Sequence, residues 1–134
     1  MAESNLKQQV QSMVGDDQEI IPTEFSNLIL DELKIERLSE ADKKFLEEFS
    51  NLESLSMNST ELRSLENFPM VPKLQKLYLD DNKLKGSDLA YLKDCANLET
   101  LFICNNQLKE FDDLKDLGTM KALKVLDLSN NEVC

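Results

Sequence analysis

The sequence predicts an α/β solenoid, in which short parallel strands stack into one sheet and helical segments return on the other side. Three observations predict it. Aliphatic residues recur at fixed offsets in Leu52-Leu55-Met57-Leu62, Leu74-Leu77-Leu79-Leu84, Leu98-Leu101-Ile103-Leu108 and Leu123-Leu126-Leu128-Val133. One polar residue holds the same place in each run: Thr60, Asn82, Asn106 and Asn131. A degenerate first run, Phe25-Leu28-Leu30-Leu33-Ile35, puts successive copies 27, 22, 24 and 25 residues apart.

Three of the runs fit L-x-x-L-x-L-x-x-N-x-L, the pattern of a leucine-rich repeat, whose period is about 20–29 residues. Thr60 replaces the asparagine in one copy and Leu33 in another. Within each copy x-x-L-x-L alternates, so it reads as a strand with one buried face. Leu77 with Leu79, Leu101 with Ile103 and Leu126 with Leu128 are expected to point inward. The structural asparagines Asn82, Asn106 and Asn131 fall where the chain leaves the strand, and a side-chain amide there can bond otherwise unpaired backbone groups. Thr60 can do part of that work and Leu33 none, so the first repeat is expected to be looser or merged with what precedes it.

The remaining elements follow in order. Residues 4–14 read as an amphipathic helix with Leu6, Val10, Met13 and Val14 on one face and Gly15 as its stop. Solenoids need a cover over the open apolar end of the first repeat, which is the expected duty of this helix. Residues 1–24 are therefore expected to form an N-terminal helical cap, and residues 25–134 a repeat domain of about five copies whose C-terminal cap is missing. Ser39-Glu40-Ala41-Asp42 has the form of a capping box ahead of Phe45, Leu46 and Phe49. Ser87-Asp88 after Gly86 starts a short helix carrying Leu89, Leu92 and Cys95. Asp112-Asp113 starts another, with Leu114 and Leu117 inward and Gly118 as its stop. Between Leu62 and Leu74, Pro69 and Pro72 disfavour a regular helix.

Composition narrows the function. Asp and Glu number 26 against 15 Lys and Arg, a net charge of −11. Like charge repels a phosphate backbone, so no direct nucleic-acid contact is expected and basic proteins are favoured. No apolar run approaches the ~18 residues of a membrane helix, and the polar start Met1-Ala2-Glu3-Ser4-Asn5 lacks the form of a signal peptide. Cys95, Cys104 and Cys134 are an odd number without CxxC spacing, which predicts reduced thiols and intracellular surroundings.

No catalytic constellation emerges. The chain has no histidine, the commonest general base and zinc ligand. Gly15, Gly86 and Gly118 are isolated, so no phosphate-cradling loop is expected. Asp80-Asp81-Asn82 lacks the alternating ligands and central glycine of a calcium loop. The expectation is a non-enzyme with no cofactor and no metal, acting through a surface. Strand residues turned away from the core supply that surface: Asn27, Ser54, Lys76, Thr100 and Val125 in one row; Ile29, Ser56, Tyr78, Phe102 and Asp127 in the next; Asp31, Asn58, Asp80, Cys104 and Ser129 in the last. Neighbouring strands lie ~4.8 Å apart, which sets Tyr78 beside Phe102. Exposed aromatics ringed by charge have the composition of a protein-contact patch. The candidate protein-binding residues are Lys76, Tyr78, Asp80, Thr100, Phe102, Cys104 and Asp127. A cross-strand pair that only stiffens the sheet is the competing reading.

The stretch from Asn27-Leu28-Ile29-Leu30-Asp31 through Leu38, then Phe45 to Leu55, resembles the first repeats of the acidic leucine-rich nuclear phosphoprotein 32 family. Leu74-Gln75-Lys76-Leu77 with Asp81-Asn82, Leu89 to Leu98, and Leu117 to Val133 are similar too. The resemblance implies a right-handed leucine-rich-repeat solenoid with a parallel concave sheet and short helices or 3-10 turns on the convex side. It implies a regulator of nucleus and cytoplasm whose partners are basic proteins such as histones, or a phosphatase 2A subunit that it inhibits, with chromatin regulation as the outcome. Members of that family continue into a C-terminal cap and a long acidic tail, whereas this sequence stops at Cys134. An uncovered last repeat is therefore expected, in a monomer or a weak end-to-end association that Cys134 could oxidise across. Leu65-Glu66-Asn67-Phe68-Pro69 also resembles the leucine-rich A-prime subunit of the U2 spliceosomal particle, which implies an alternative, a structural ribonucleoprotein subunit gripping an RNA-binding protein. A phosphatase- or dynein-associated leucine-rich subunit is the third reading.

Overall fold

A computed structural model of the chain describes residues 5–132. Five strands, β1 (Asn27–Ile29), β2 (Ser54–Ser56), β3 (Lys76–Tyr78), β4 (Thr100–Phe102) and β5 (Val125–Asp127), form one parallel sheet in sequence order. The register aligns Leu28, Leu55, Leu77, Leu101 and Leu126 as one row. Because strand side chains alternate, fixing that row inward fixes its neighbours outward. Leu30, Met57, Leu79 and Ile103 follow two residues later and are fully buried. Val133 and Cys134 lie outside the described residues, as does Ser4 at the start of the expected helix.

The returns differ in kind. Helix α1 (Asn5–Val14) precedes the sheet, helix α2 (Glu40–Glu47) joins β1 to β2, and 3-10 helices Gly86–Leu92 and Phe111–Thr119 follow β3 and β4. The connection after β2, holding Pro69 and Pro72, contains no regular helix. At α2, Asp42 N–H donates to Ser39 Oγ and Ser39 N–H to Asp42 Oδ2, each at 3.0 Å, so the capping box is closed. Leu89 and Leu92 are buried from the first 3-10 helix, and Leu117 from the second, while Leu114 and Cys95 are partly buried against the same core. The first 3-10 helix starts at Gly86, one residue earlier than the sequence suggests. A Cβ on Gly86 would overlap the Asp113 side chain of the next return, so only glycine fits that crossing.

Three sequence expectations are corrected, and a fourth, for the first repeat, resolves between its two alternatives. Gly118 does not stop its helix: the 3-10 turn runs through Thr119 and ends at Met120, whose N–H bonds Leu117 O at 3.1 Å. Met13 and Val14 stay exposed, because α1 meets the core only through Leu6 and Val10. The first repeat is not loose. Its backbone joins the sheet regularly, through Leu30 N–H to Ser56 O at 2.7 Å and Glu32 N–H to Asn58 O at 3.0 Å. It is instead merged with α1, where Gln9 pairs both ways with the Lys34 backbone, at 3.0 and 3.2 Å. Leu126 and Leu128 are not sealed in. Leu126 is 40% exposed, while its neighbour Leu101 in the next rung is fully covered. Among the described residues nothing stacks over β5, and Val125, in the outward row, is exposed as well.

Candidate functional site

The outward rows of the sheet form a shallow trough. Lys76 and Thr100 are register partners, and so are Tyr78 and Phe102, with Asp127 next in line. The Tyr78 and Phe102 rings meet edge to face, with centroids 5.3 Å apart and planes at 81°. That geometry suits the ring quadrupoles and leaves both rings partly open to solvent. Lys76 is exposed in the next row of the face, toward the N-terminal ends of the strands, and a groove of about 310 Å³ beside it is lined by residues that include Asn27, Glu53, Ser54, Gln75, Lys76 and Tyr78. On β1, Ile29 is 54% exposed. Ser56 does not join the open row, because its hydroxyl donates to Asp31 Oδ1 at 2.6 Å and the side chain is buried.

One rim of the trough carries a ladder that the repeat pattern does not announce. Asp31 Oδ1 accepts from Asn58 N–H at 2.8 Å, Asn58 Oδ1 from Asp80 N–H at 2.8 Å, and Asp80 Oδ1 from Cys104 N–H at 2.7 Å. Cys104 then turns its thiol to Asp127 O, with Sγ 3.7 Å away. Asp127 closes a local turn, accepting from Ser129 Oγ at 2.6 Å and Ser129 N–H at 3.0 Å. The Ser129 hydroxyl and amide hold the Asp127 carboxyl below its ordinary range, helped by the Cys104 thiol. Desolvation, with Asp127 and Asp80 on either side, pushes the Cys104 thiol up to about 12, so it is a neutral donor rather than a nucleophile. Burial likewise raises Cys95, with Asp94 adding to it, to about 11.

Behind that rim the asparagines make a second ladder. Asn82 Oδ1 accepts from Thr60 N–H and Leu62 N–H, both at 3.0 Å, and Nδ2 donates to Met57 O at 2.9 Å and Leu79 O at 3.1 Å. Asn106 Oδ1 accepts from Leu84 N–H at 2.9 Å while Nδ2 donates to Leu79 O at 2.9 Å and Ile103 O at 3.2 Å. Asn131 accepts from Asn106 N–H and Leu108 N–H and donates to Ile103 O and Leu128 O. Each amide thus clamps the rung before its own. The residue preceding each of these positions has a left-handed backbone: Glu32, Ser59, Asp81, Asn105 and Asn130 have φ of 54° to 68°. Asn and Asp tolerate that region better than most residues, which accounts for three of the five. Asp81 and Asn105 also bond each other at 2.8 Å.

The seven candidate residues therefore share one face. Thr100, Phe102, Cys104 and Asp127 lie on β4, on β5 or just beyond β4, and Lys76, Tyr78 and Asp80 along β3. What the sequence reading missed is that Asp80, Asp127 and Cys104 are already bonded within the face. The signal was there in the alternation of Asp31, Asn58 and Asp80 at one register position.

The leucine-rich repeat family signature matches residues 51–134. The chain is 42% identical over 101 residues to histone H2A.Y of Tetrahymena thermophila, a match covering 75% of the chain and 26% of that protein. It is 42% identical over 86 residues to acidic leucine-rich nuclear phosphoprotein 32 family member A of both Drosophila pseudoobscura pseudoobscura and Drosophila melanogaster, covering 64% of the chain and 32% and 33% of those proteins. Aligned segments thus span about a quarter to a third of these curated relatives. The fold is similar to that of an internalin from Listeria monocytogenes, with a TM-score of 0.68 at 17% identity over 96% of this chain and 43% of that one. The signature covers most of the solenoid, and the chain belongs to the leucine-rich repeat family, with acidic nuclear phosphoproteins among its curated relatives.

Proposed function

We propose that this chain is a non-catalytic, protein-binding regulator of the nucleus and cytoplasm that takes basic proteins, histones foremost, on its concave face. A phosphatase subunit, inhibited by that contact, and chromatin regulation belong to the same reading. The observation that carries it is the Tyr78–Phe102 pair, partly open at the centre of the trough, between Lys76 and the rim carboxylates Asp80 and Asp127. Aromatics surrounded by polar groups dominate protein-contact energetics. The net charge of −11 favours a basic partner and speeds its encounter. Similarity to proteins named acidic leucine-rich nuclear phosphoproteins, and to one named a histone, supports the nuclear setting. In this reading residues 1–24 serve as the cap and residues 25–134 as the binding array, with Thr100 and Cys104 as secondary contacts.

The test is calorimetry with purified core histones and with phosphatase 2A, comparing the wild type with the double variant Tyr78→Ala, Phe102→Ala. Loss of the pair is expected to weaken binding by about 2 kcal/mol or more, the scale of a contact hot spot, with the domain still folded. Unchanged affinity for a partner that binds the wild type rules the patch out.

A further inference from the structure

The rim carboxylates carry more charge than the sheet requires. Asp31, Asp80 and Asp127 each use Oδ1 to accept a backbone N–H, and the Cys104 thiol adds a side-chain contact to Asp80 and Asp127. At the register position shared with Asp31 and Asp80, Asn58 does the same cross-rung work with an amide oxygen, accepting Asp80 N–H at 2.8 Å, whereas Asp127 lies one row away, beside Phe102. A neutral side chain therefore suffices at the Asp31 and Asp80 rungs, and their negative charge is left over for something outside the sheet. Two of these carboxylates border the aromatic pair. Asp80 follows Tyr78 by two residues on the same face, about 6.6 Å along the strand, and Asp127 is the cross-strand partner of Phe102, about 4.8 Å away. Both are held in place by their Oδ1 bonds before any ligand arrives, so little ordering remains to be done on binding. Lys76 lies at the opposite end of Tyr78, which directs an incoming cation toward the carboxylate rim.

Resting on the concave-face reading above, we infer that the trough is a recognition site for arginine: a guanidinium lies against the Tyr78 and Phe102 rings and donates in its plane to the carboxylates of Asp80 and Asp127. A planar, weakly hydrated cation can stack on a ring and bond two carboxylates at once, whereas an ammonium is a compact point charge that gains less from either contact. The partner class is an arginine-bearing segment of a basic protein. Lysine-rich segments of equal charge are discriminated against.

The experiment is fluorescence anisotropy with a labelled Gly-Ser peptide carrying two arginines, against the same peptide with two lysines or two citrullines, while the ring resonances of Tyr78 are followed by NMR. The arginine peptide is expected to bind about tenfold tighter than the lysine peptide, and the citrulline peptide not measurably. Asp80→Asn with Asp127→Asn keeps amide oxygens that accept the backbone N–H groups, so the domain is expected to stay folded, with a small loss of melting temperature from the missing Asp127 charge, while arginine binding falls about tenfold or more. Phe102→Leu is expected to erase the preference for arginine over lysine. Equal affinity for the two cationic peptides, or undiminished binding by the folded Asn variants, overturns the inference. If in that event a basic protein still shifts Tyr78, the concave reading survives without arginine selectivity. If neither a basic protein nor either peptide moves Tyr78, both fail.

Discussion

Asn106 shows how much one side chain carries. Its amide oxygen holds the N–H of Leu84 and its nitrogen holds the carbonyls of Leu79 and Ile103, all in a buried turn. Asn106→Ala leaves these groups unsatisfied, at about 1–3 kcal/mol for each buried group that water cannot reach, so a loss of about 3 kcal/mol is expected in urea unfolding. The recurring asparagine is legible in the sequence because its offset is constant. That the amide serves the preceding rung is not legible, since nothing in the spacing says which backbone it meets. Asp127 makes a second prediction. Its folded-state pKa lies below the ordinary 3.8, held there by Ser129, so its stabilising contribution is complete above that value and is lost as pH falls through the folded-state value. Comparing Asp127→Ala with wild type should therefore show a stability gap at pH 6 that closes in strong acid. A gap that persists unchanged below pH 2 contradicts the assignment.

At the scale of elements, a carboxylate three residues past the cap organises three of the four convex returns. Asp42 bonds Ser39 N–H, Asp88 bonds Lys85 N–H at 2.9 Å, and Asp113 bonds Glu110 N–H at 3.1 Å. Two of them also reach outside their own helix: Asp42 Oδ1 accepts Leu6 N–H from α1 at 3.1 Å, and Asp88 Oδ1 accepts Leu65 N–H at 3.3 Å. Asp42→Ala thus removes the α2 cap and one polar anchor of α1 together. A loss of about 2–3 kcal/mol is expected, from one cap and one buried donor left alone, accompanied by faster amide exchange throughout Asn5–Val14. Exchange in α1 that matches wild type would show that Leu6, Val10 and the Gln9–Lys34 bonds hold the helix without Asp42. The box at Ser39 is readable because serine and aspartate sit at a known interval. The choice of 3-10 over α in the later returns is not, because it depends on the space between neighbouring rungs, where Gly86 abuts Asp113. Gly118 misled for the same reason: it has the chemistry of a stop, but packing carries the turn two residues further, to Met120.

Over the whole molecule, stacking turns a weak local pattern into a continuous core, and that is why the fold could be read from aliphatic offsets alone. Row membership along the strands followed from period two, and the register agrees with it at every rung. Exposure did not follow. Ser56 is hidden by a side-chain bond from the neighbouring rung, and Leu126 is open because among the described residues nothing stacks beyond it, and neither fact is local to its own repeat. The two faces also differ in kind: the concave side presents bonded carboxylates around an aromatic pair, while the other side presents Tyr91 and the 81%-exposed Phe111 singly. The chain has only two tyrosines, and they divide between these faces. That makes one measurement decisive for the docking of a basic protein in the trough: titrate the isotope-labelled chain with a core histone and follow both tyrosine ring resonances. Movement of Tyr78 with Tyr91 stationary is the predicted result, and movement of Tyr91 with Tyr78 unmoved would contradict it.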